Sequence, residues 1–171
     1  PYPECADFVS AAIDRLRDLK PDLVISSILR FNYPARSSDS SPVVQGEAIG
    51  RALRKVPGQK VLIVDTQWNR VDVPSCLSRH RDDVRACQAA RSDTTLGGVP
   101  QRDEAAARVA GAALIDLTRF FCDGGVCPVV SDGIIRFRDD HHMTATYARS
   151  LAPVLAKALD RVLGPEPSIQ P

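Results

Sequence analysis

Residues 138–144, Arg-Asp-Asp-His-His-Met-Thr, contain the side chains whose types and spacing suit acid–base chemistry. Asp139 and His142 are three residues apart, so just before a helix they can face each other across one turn. The carboxylate would accept a hydrogen bond from one imidazole nitrogen and fix the tautomer, which leaves the other nitrogen to take a proton from an alcohol. Because a serine hydroxyl is a poor nucleophile without such a base, the pair predicts two members of a serine triad.

Two other interpretations of the same segment stay open. Asp140, His141 and His142 include the side-chain types that bind metal ions. Metal sites usually gather ligands from several elements, however, and the sequence has no second cluster, so we predict no metal. The acidic residues could instead favour the N-terminus of the following helix through its dipole, with the histidines as ordinary loop residues. Spacing alone does not decide among these interpretations.

The segment follows a chain in which helical and strand-like apolar patterns alternate. Helical spacing marks the helices, and short apolar runs mark strands that are buried on both faces. The helices are predicted at about 5–19, 44–53, 103–111 and 144–162, and the strands at 22–28, 60–65 and 113–117. Thr144 is expected to cap the last helix. This alternation predicts an α/β fold with a mainly parallel sheet, whose ligands bind beyond the carboxyl ends of the strands.

Residues 68–99 are long and weakly patterned, with one short helix expected around 82–90. A loop of this length in a compact domain is usually functional or cross-linked. Trp68 and Asn69 follow the second predicted strand, so we expect them at the active end of the sheet.

Four of the five cysteines form two closely spaced pairs. Cys76 and Cys87 enclose ten residues, and Cys122 and Cys127 enclose Asp-Gly-Gly-Val. Neither pair has the CxxC spacing of a zinc site, and His80 alone cannot complete one. Two short-range disulfides are therefore predicted, and they imply an oxidising, extracytoplasmic compartment. Free thiols in a cytosolic protein are the alternative.

The composition of the chain limits the other classes of function. The 171 residues suit one domain, predicted at 1–163 with a tail at 164–171, and 44% of them are apolar. A net charge of +1 gives no indication of nucleic acid or an anionic membrane as a partner. The chain begins Pro-Tyr-Pro-Glu-Cys, which is typical of the middle of a longer protein, and we expect the partner of Cys5 upstream of Pro1.

Three blocks near the end of the chain resemble one known family. They are Cys-Asp-Gly-Gly-Val-Cys-Pro at 122–128, Ser-Asp-Gly at 131–133, and the 138–144 segment. Together they resemble the final block of SGNH (GDSL-type) hydrolases, most closely the SGNH domains fused behind acyltransferase type 3 membrane proteins of the bacterial envelope. Residues 2–5, 21–24 and 74–87 look similar to the same family, so the resemblance covers nearly the whole chain.

The resemblance implies a three-layer α/β/α, flavodoxin-like fold and specific residue roles. His142 matches the general base and Asp139 the residue that orients it, whereas Asp140 and His141 fill variable positions without an assigned role. The family's Gly-Asp-Ser nucleophile block is absent from the sequence, so its serine and first strand are expected upstream of Pro1. Asn32 is a candidate oxyanion donor with Arg30 nearby, although an ordinary loop asparagine is the alternative.

The function implied is acyl transfer, most simply of acetyl, to or from hydroxyls of an envelope glycan or glycolipid. The implied partners are an acyl donor, a carbohydrate acceptor and a membrane acyltransferase domain of the same polypeptide, with no cofactor. That places the domain on the periplasmic or cell-wall side, tethered to the inner membrane. The alternative is a degenerate, non-catalytic module that binds glycan or its membrane partner.

The absence of a first strand has a predicted consequence for stability. That strand normally lies inside the sheet, so its absence would leave strand edges unpaired and core side chains exposed. We therefore predict that residues 1–171 alone are inactive and poorly stable.

Overall fold

The computed structural model of the protein describes residues 3–28, 41–64, 69–94 and 99–164. The chain divides into two compact units, one of Pro1–Asp65 with Leu96–Asp116 and one of Thr66–Thr95 with Leu117–Pro171. Three residues singled out in the sequence, Arg30, Asn32 and Trp68, lie outside the described ranges. None of the helices within those ranges is both long and apolar enough to cross a membrane.

Short helices and strands alternate along the chain. The helices are α1 (Pro3–Leu19), α2 (Pro42–Arg54), α3 (Val73–Arg79), α4 (Arg91–Thr94), α5 (Val99–Ala110), α6 (Ala145–Ser150) and α7 (Ala152–Leu163). The strands are β1 (Leu23–Ser27), β2 (Gln59–Ile63), β3 (Ala89–Ala90), β4 (Ala113–Ile115), β5 (Val126–Cys127), β6 (Val130–Ser131) and β7 (Ile134–Ile135). Turns of 3₁₀ helix occupy Val84–Cys87 and Thr118–Phe120.

The first unit is built on a three-stranded parallel sheet in the order β1-β2-β4. Leu23 of β1 pairs with Gln59 of β2, and Val61 of β2 pairs with Ala113 of β4. The central strand is apolar because both of its faces are covered, and Val61 and Leu62 are fully buried. The predicted α/β class with a parallel sheet is therefore confirmed.

Among the described strands, the sheet of the first unit has no internal gap. The sequence predicts a vacancy inside it, but β1, β2 and β4 pair continuously, so a further strand could join only at an edge. Two apolar strand residues are nevertheless left in water: Ile25 of β1 is 47% exposed and Leu114 of β4 is 37% exposed. The low stability expected of residues 1–171 alone stays a prediction.

Helices α2 and α5 of the first unit pack backbone against backbone. A Cβ atom added at Gly46 would lie 2.1 Å from the carbonyl oxygen of Arg102, and one at Gly50 would lie 2.6 Å from that of Ala106. Any larger residue would push the helices apart. The close contact buries the Arg102 side chain, which donates a hydrogen bond to the carbonyl of Ile28 at 3.0 Å, just past the end of β1.

The second unit has its own core, in which both disulfides are buried. Bonds join Cys76 to Cys87 and Cys122 to Cys127, as the spacing predicts. The buried residues around them are Val73, Phe121, Val129, Phe137, Tyr147 and Leu151. Strands β3 and β5 pair antiparallel next to these cysteines, which joins the two cross-linked segments. Cys5, in the first unit, is free and exposed.

The short helix expected around 82–90 is present as the 3₁₀ turn at Val84–Cys87, whereas α3, earlier in the same region, is not predicted. The Asp72 side chain caps α3 by accepting a hydrogen bond from the backbone N–H of Ser75 at 2.9 Å. Pro74 stands in the first turn, where its missing N–H is not needed. This Asp-x-Pro signal is present in the sequence but does not stand out without apolar periodicity.

The last helix is interrupted rather than continuous. Thr144 caps α6 as predicted, but α6 ends at Ser150 and α7 begins at Ala152. Pro153 explains the break, because its ring nitrogen has no hydrogen to bond the carbonyl of Arg149 and its ring crowds that carbonyl.

Candidate active site

The 138–144 segment lies in the second unit, between a tight hairpin and α6. Strands β6 and β7 are joined by Asp132 and Gly133, both in the left-handed conformation that a two-residue hairpin requires. Past β7, the backbone N–H of Thr144 donates to the carbonyl of Arg136 and that of Arg138 donates to the carbonyl of His142, each at 2.9 Å. These bonds close residues 138–142 into a loop with a fixed base.

Within this loop Asp139 and His142 face each other as the spacing predicts. One carboxylate oxygen of Asp139, Oδ1, accepts hydrogen bonds from the backbone N–H groups of His141 at 2.9 Å and His142 at 2.6 Å. The other oxygen, Oδ2, lies 2.7 Å from Nδ1 of His142. Because an ionised carboxylate only accepts, Nδ1 carries the hydrogen and Nε2 keeps its lone pair.

The charge of Asp139 is strongly stabilised. Burial alone would raise the pKa of this carboxyl, but the two backbone donors and the His142 ring outweigh it and hold the pKa well below its ordinary range. The carboxylate therefore stays ionised at neutral pH and orients the ring without competing for its proton.

The His142 ring is accessible to a reacting group. Its side chain is 50% exposed, against 33% for Asp139. Within the part of the chain that the structure describes, Nδ1 is held by Asp139 whereas Nε2 has no hydrogen-bond partner. The arrangement therefore leaves Nε2 of an oriented, half-exposed ring without a hydrogen-bond partner among the described residues.

A segment earlier in the chain, Asn69 to Val73 of the same unit, forms hydrogen bonds to this loop. The backbone N–H of Asn69 donates to the carbonyl of Asp140 at 2.7 Å, and its side-chain Nδ2 donates to the same oxygen at 3.3 Å. The N–H of Val73, at the start of α3, donates to the carbonyl of Asp139 at 3.4 Å. The loop is thus fixed at its base and along one side.

Comparison with known proteins identifies the family. Residues 1–157 match the family model described as the SGNH domain fused to AT3 domains. The chain belongs to this family. No protein with a curated description matches the chain.

A solved structure resembles this SGNH domain in fold. It is the periplasmic domain of a lipopolysaccharide acetyltransferase from Salmonella ser. Paratyphi A, with a TM-score of 0.63 and 12% sequence identity. The match covers 88% of the present chain but only 61% of the Salmonella one. At this identity the likeness shows the fold alone, and it agrees with the SGNH fold that the sequence predicts.

The structure brings together two of the four predicted polar site residues of this SGNH domain. Asp139 and His142 are in contact, whereas Arg30 and Asn32 lie outside the described ranges. The sequence predicts Asn69 near the active end of the sheet but indicates no role for it. No local signal could reveal that role, because Asn69 and Asp140 are 71 residues apart in the chain.

Replacing Asn69 tests whether it holds the loop of the SGNH domain. Asn69→Ala is expected to lower the free energy of unfolding by about 1 kcal/mol, because the Nδ2 hydrogen bond is lost. Asn69→Asp should be more damaging, since a carboxylate oxygen would then meet the Asp140 carbonyl at a side chain that is only 6% exposed. Urea unfolding of both variants measures the difference. Equal stability of Asn69→Asp and the natural protein would show that Asn69 does not hold the loop.

The same loop of the SGNH domain also offers metal-binding side chains. Asp139, His141 and His142 have ligand atoms within 4.8 Å of one another. Imidazole lone pairs lie in the ring plane, however, and the two rings stack with their centroids 3.8 Å apart and 39° between their planes. In these rotamers Nδ1 of His141 lies against Asp140 and Nδ1 of His142 lies against Asp139. The side chains are therefore arranged as two hydrogen-bonded Asp–His pairs.

Proposed function

We propose that this SGNH domain transfers an acyl group, most simply acetyl, to or from hydroxyls of a cell-envelope glycan or glycolipid. His142 is the general base and Asp139 the orienting carboxylate. The nucleophilic serine is supplied by polypeptide that precedes Pro1. The observation that supports the proposal is the 2.7 Å contact between Asp139 Oδ2 and His142 Nδ1, together with a half-exposed ring whose Nε2 is available.

The first half of the reaction forms an acyl-enzyme. Nε2 of His142 removes the proton of the serine hydroxyl while the serine oxygen attacks the acyl carbonyl. The tetrahedral intermediate then expels the donor's oxygen, and the His142 imidazolium returns the proton to that leaving group. The acyl group is now an ester of the serine, and His142 is neutral again.

The second half of the reaction uses the same groups in the opposite order. Nε2 removes the proton of an acceptor hydroxyl, which attacks the acyl-serine, and the proton then passes to the departing serine oxygen. A sugar hydroxyl as acceptor makes the domain a transferase, and water makes it an esterase. In both halves the ionised Asp139 stabilises the imidazolium, because positive charge develops 2.7 Å from its oxygen.

The family and its solved relative support the envelope setting. Domains of this family are fused to AT3 domains, and the Salmonella protein is the periplasmic part of a lipopolysaccharide acetyltransferase. A membrane-bound AT3 domain of the same polypeptide would deliver acyl groups to the SGNH domain outside the cytoplasm. The two buried disulfides agree with that compartment, since such bonds persist where the environment is oxidising.

Trapping the acyl-enzyme tests the proposal. A longer protein that includes the segment before Pro1 is treated with p-nitrophenyl acetate, and mass spectrometry locates the acetyl group. We expect one acetyl-serine in the preceding segment, which decays faster when a carbohydrate acceptor is added. Residues 1–171 alone are the control and should release no more p-nitrophenol than the buffer does. Absence of any acyl-serine in the longer protein, with glycan binding retained, would instead support a non-catalytic binding module.

A further inference from the structure

The active-site loop contains a second Asp–His pair beside the first. Nδ1 of His141 lies 2.5 Å from Oδ1 of Asp140. The histidine of this pair is the more buried of the two: the His141 side chain is 19% exposed, whereas that of His142 is 50% exposed. Asp140 is also the residue whose carbonyl Asn69 holds, so the second pair is attached to the fixed side of the loop.

The two imidazole rings are in direct contact. Their centroids are 3.8 Å apart, and the angle between the ring planes is 39°. One face of the His142 ring therefore lies against the ring of His141, while the His142 side chain as a whole remains half exposed. The sequence indicates no role for His141, which stands between the two predicted triad residues.

We propose that His141, held by Asp140, is a positioning residue that keeps the His142 ring against Asp139. The His142 ring is attached to Asp139 by a single side-chain hydrogen bond at a half-exposed site, and such a ring has other staggered rotamers open to it. A flat neighbour on one face blocks rotation in that direction. The ring of His141 thus favours the one orientation in which Nδ1 meets the carboxylate and Nε2 faces the substrate.

The catalytic importance of the contact between the His141 and His142 rings rests on the proposed function, because that importance requires His142 to be the base. The positioning effect of the contact does not depend on the proposed function, since it concerns only the orientation of the His142 ring. Two readouts therefore separate the two ideas. The hydrogen-bonded Nδ1–H proton of His142 reports orientation in the proton NMR spectrum, and kcat reports catalysis.

The test compares His141→Ala with His141→Phe in the longer protein. Both variants remove the imidazole, but only phenylalanine keeps a flat ring against His142. We expect the alanine variant to lose or broaden the downfield Nδ1–H signal and to lower kcat by about ten- to a hundred-fold with little change in KM. The phenylalanine variant should recover most of the signal and most of kcat. Asp140→Asn, which weakens the support of His141, should give an intermediate result.

Each other outcome has a definite meaning. The signal is assigned by its loss in His142→Gln. An unchanged signal and kcat in His141→Ala would overturn the positioning role. An equal loss of the Nδ1–H signal and of kcat in the alanine and phenylalanine variants would also overturn the positioning role, because a flat ring against His142 would then not be sufficient. A signal that responds as expected in a protein whose activity survives His142→Ala would sustain the positioning role and refute the proposed function.

Discussion

Replacing His142 by alanine in the longer protein is expected to lower kcat for acyl transfer by roughly 10⁴- to 10⁶-fold. Without its imidazole, no group in the described loop holds a basic nitrogen at the exposed position of Nε2. The serine would then have to lose its proton to water. The rate of p-nitrophenol release, extrapolated to early times, measures this loss.

The partner variant Asp139→Asn should lower kcat by about 10⁴-fold while leaving the loop formed. The side-chain oxygen of asparagine can still accept hydrogen bonds from the backbone N–H groups of His141 and His142. It can no longer stabilise the imidazolium, and its amide group no longer fixes the tautomer that exposes a basic Nε2. His80→Ala is the matched control, because it removes a histidine at the end of α3 and leaves the loop unaltered. Equal activity of all three variants would refute the triad.

The pH dependence of stability gives an independent test of Asp139. Its folded-state pKa is depressed, so its ionised form contributes stability above its unfolded pKa of about 4, and that contribution is lost as the pH falls. The stability difference between the natural protein and Asp139→Asn should therefore be largest near neutral pH and should shrink in acid. A difference that is constant from neutral pH to strong acid would contradict the strongly stabilised carboxylate.

Removing either disulfide is expected to lower the free energy of unfolding by about 2–3 kcal/mol, and removing both by about 5 kcal/mol. The cross-links close loops with sequence separations of 11 and 5 residues, so each mainly restricts the unfolded chain. The total free energy of unfolding of a marginally stable domain is little larger than this combined loss of about 5 kcal/mol. We therefore expect the second unit to unfold near room temperature when both bonds are reduced.

The matched variants for this prediction are pairs of cysteine-to-alanine changes. Cys76→Ala with Cys87→Ala removes one bond, and Cys122→Ala with Cys127→Ala removes the other. Cys5→Ala is the control in residues 1–171, since Cys5 is free and exposed there. Urea unfolding with and without a reductant gives the free energies. Transitions that do not move on reduction would show that the bonds contribute nothing to the stability of the folded unit.

Loss of the disulfides should also weaken the loop of residues 138–142. The cysteines share a buried core with Phe121, Phe137 and Tyr147. Phe137 directly precedes the loop, and the ring of Phe121 lies 6.0 Å from that of Phe137. The stability of the loop therefore depends on the same core that the two bonds cross-link.

Much of the first unit could be predicted from the sequence because its buried strands are short apolar runs that recur along the chain. The runs at 22–28, 60–65 and 113–117 became β1, β2 and β4, since an apolar strand between two covered faces needs no other information. The pairing without an internal gap could not be predicted, because order within a sheet depends on crossovers that local patterns do not encode.

The second unit was harder to predict because tertiary contacts and caps shape it more than periodicity does. Helix α3 carries a clear capping signal in Asp72 but is only seven residues long. The last helix had the strongest apolar stripe, yet Pro153 divides it. In both cases a single hydrogen bond of a backbone group outweighed the apolar pattern. The Ser75 N–H gains the Asp72 side chain as its acceptor at the cap of α3, and the carbonyl of Arg149 loses a donor at Pro153.

The sequence by itself determined the contact between Asp139 and His142, because a separation of three residues across one turn suffices to bring these side chains together. Only the tertiary structure decided what surrounds that contact. The hydrogen bond from Asn69 to Asp140 joins residues that are 71 positions apart in the chain, so it depends on tertiary packing. The stacking of His141 on His142 depends on rotamers that this packing selects, since neighbouring residues in an isolated loop sample many orientations.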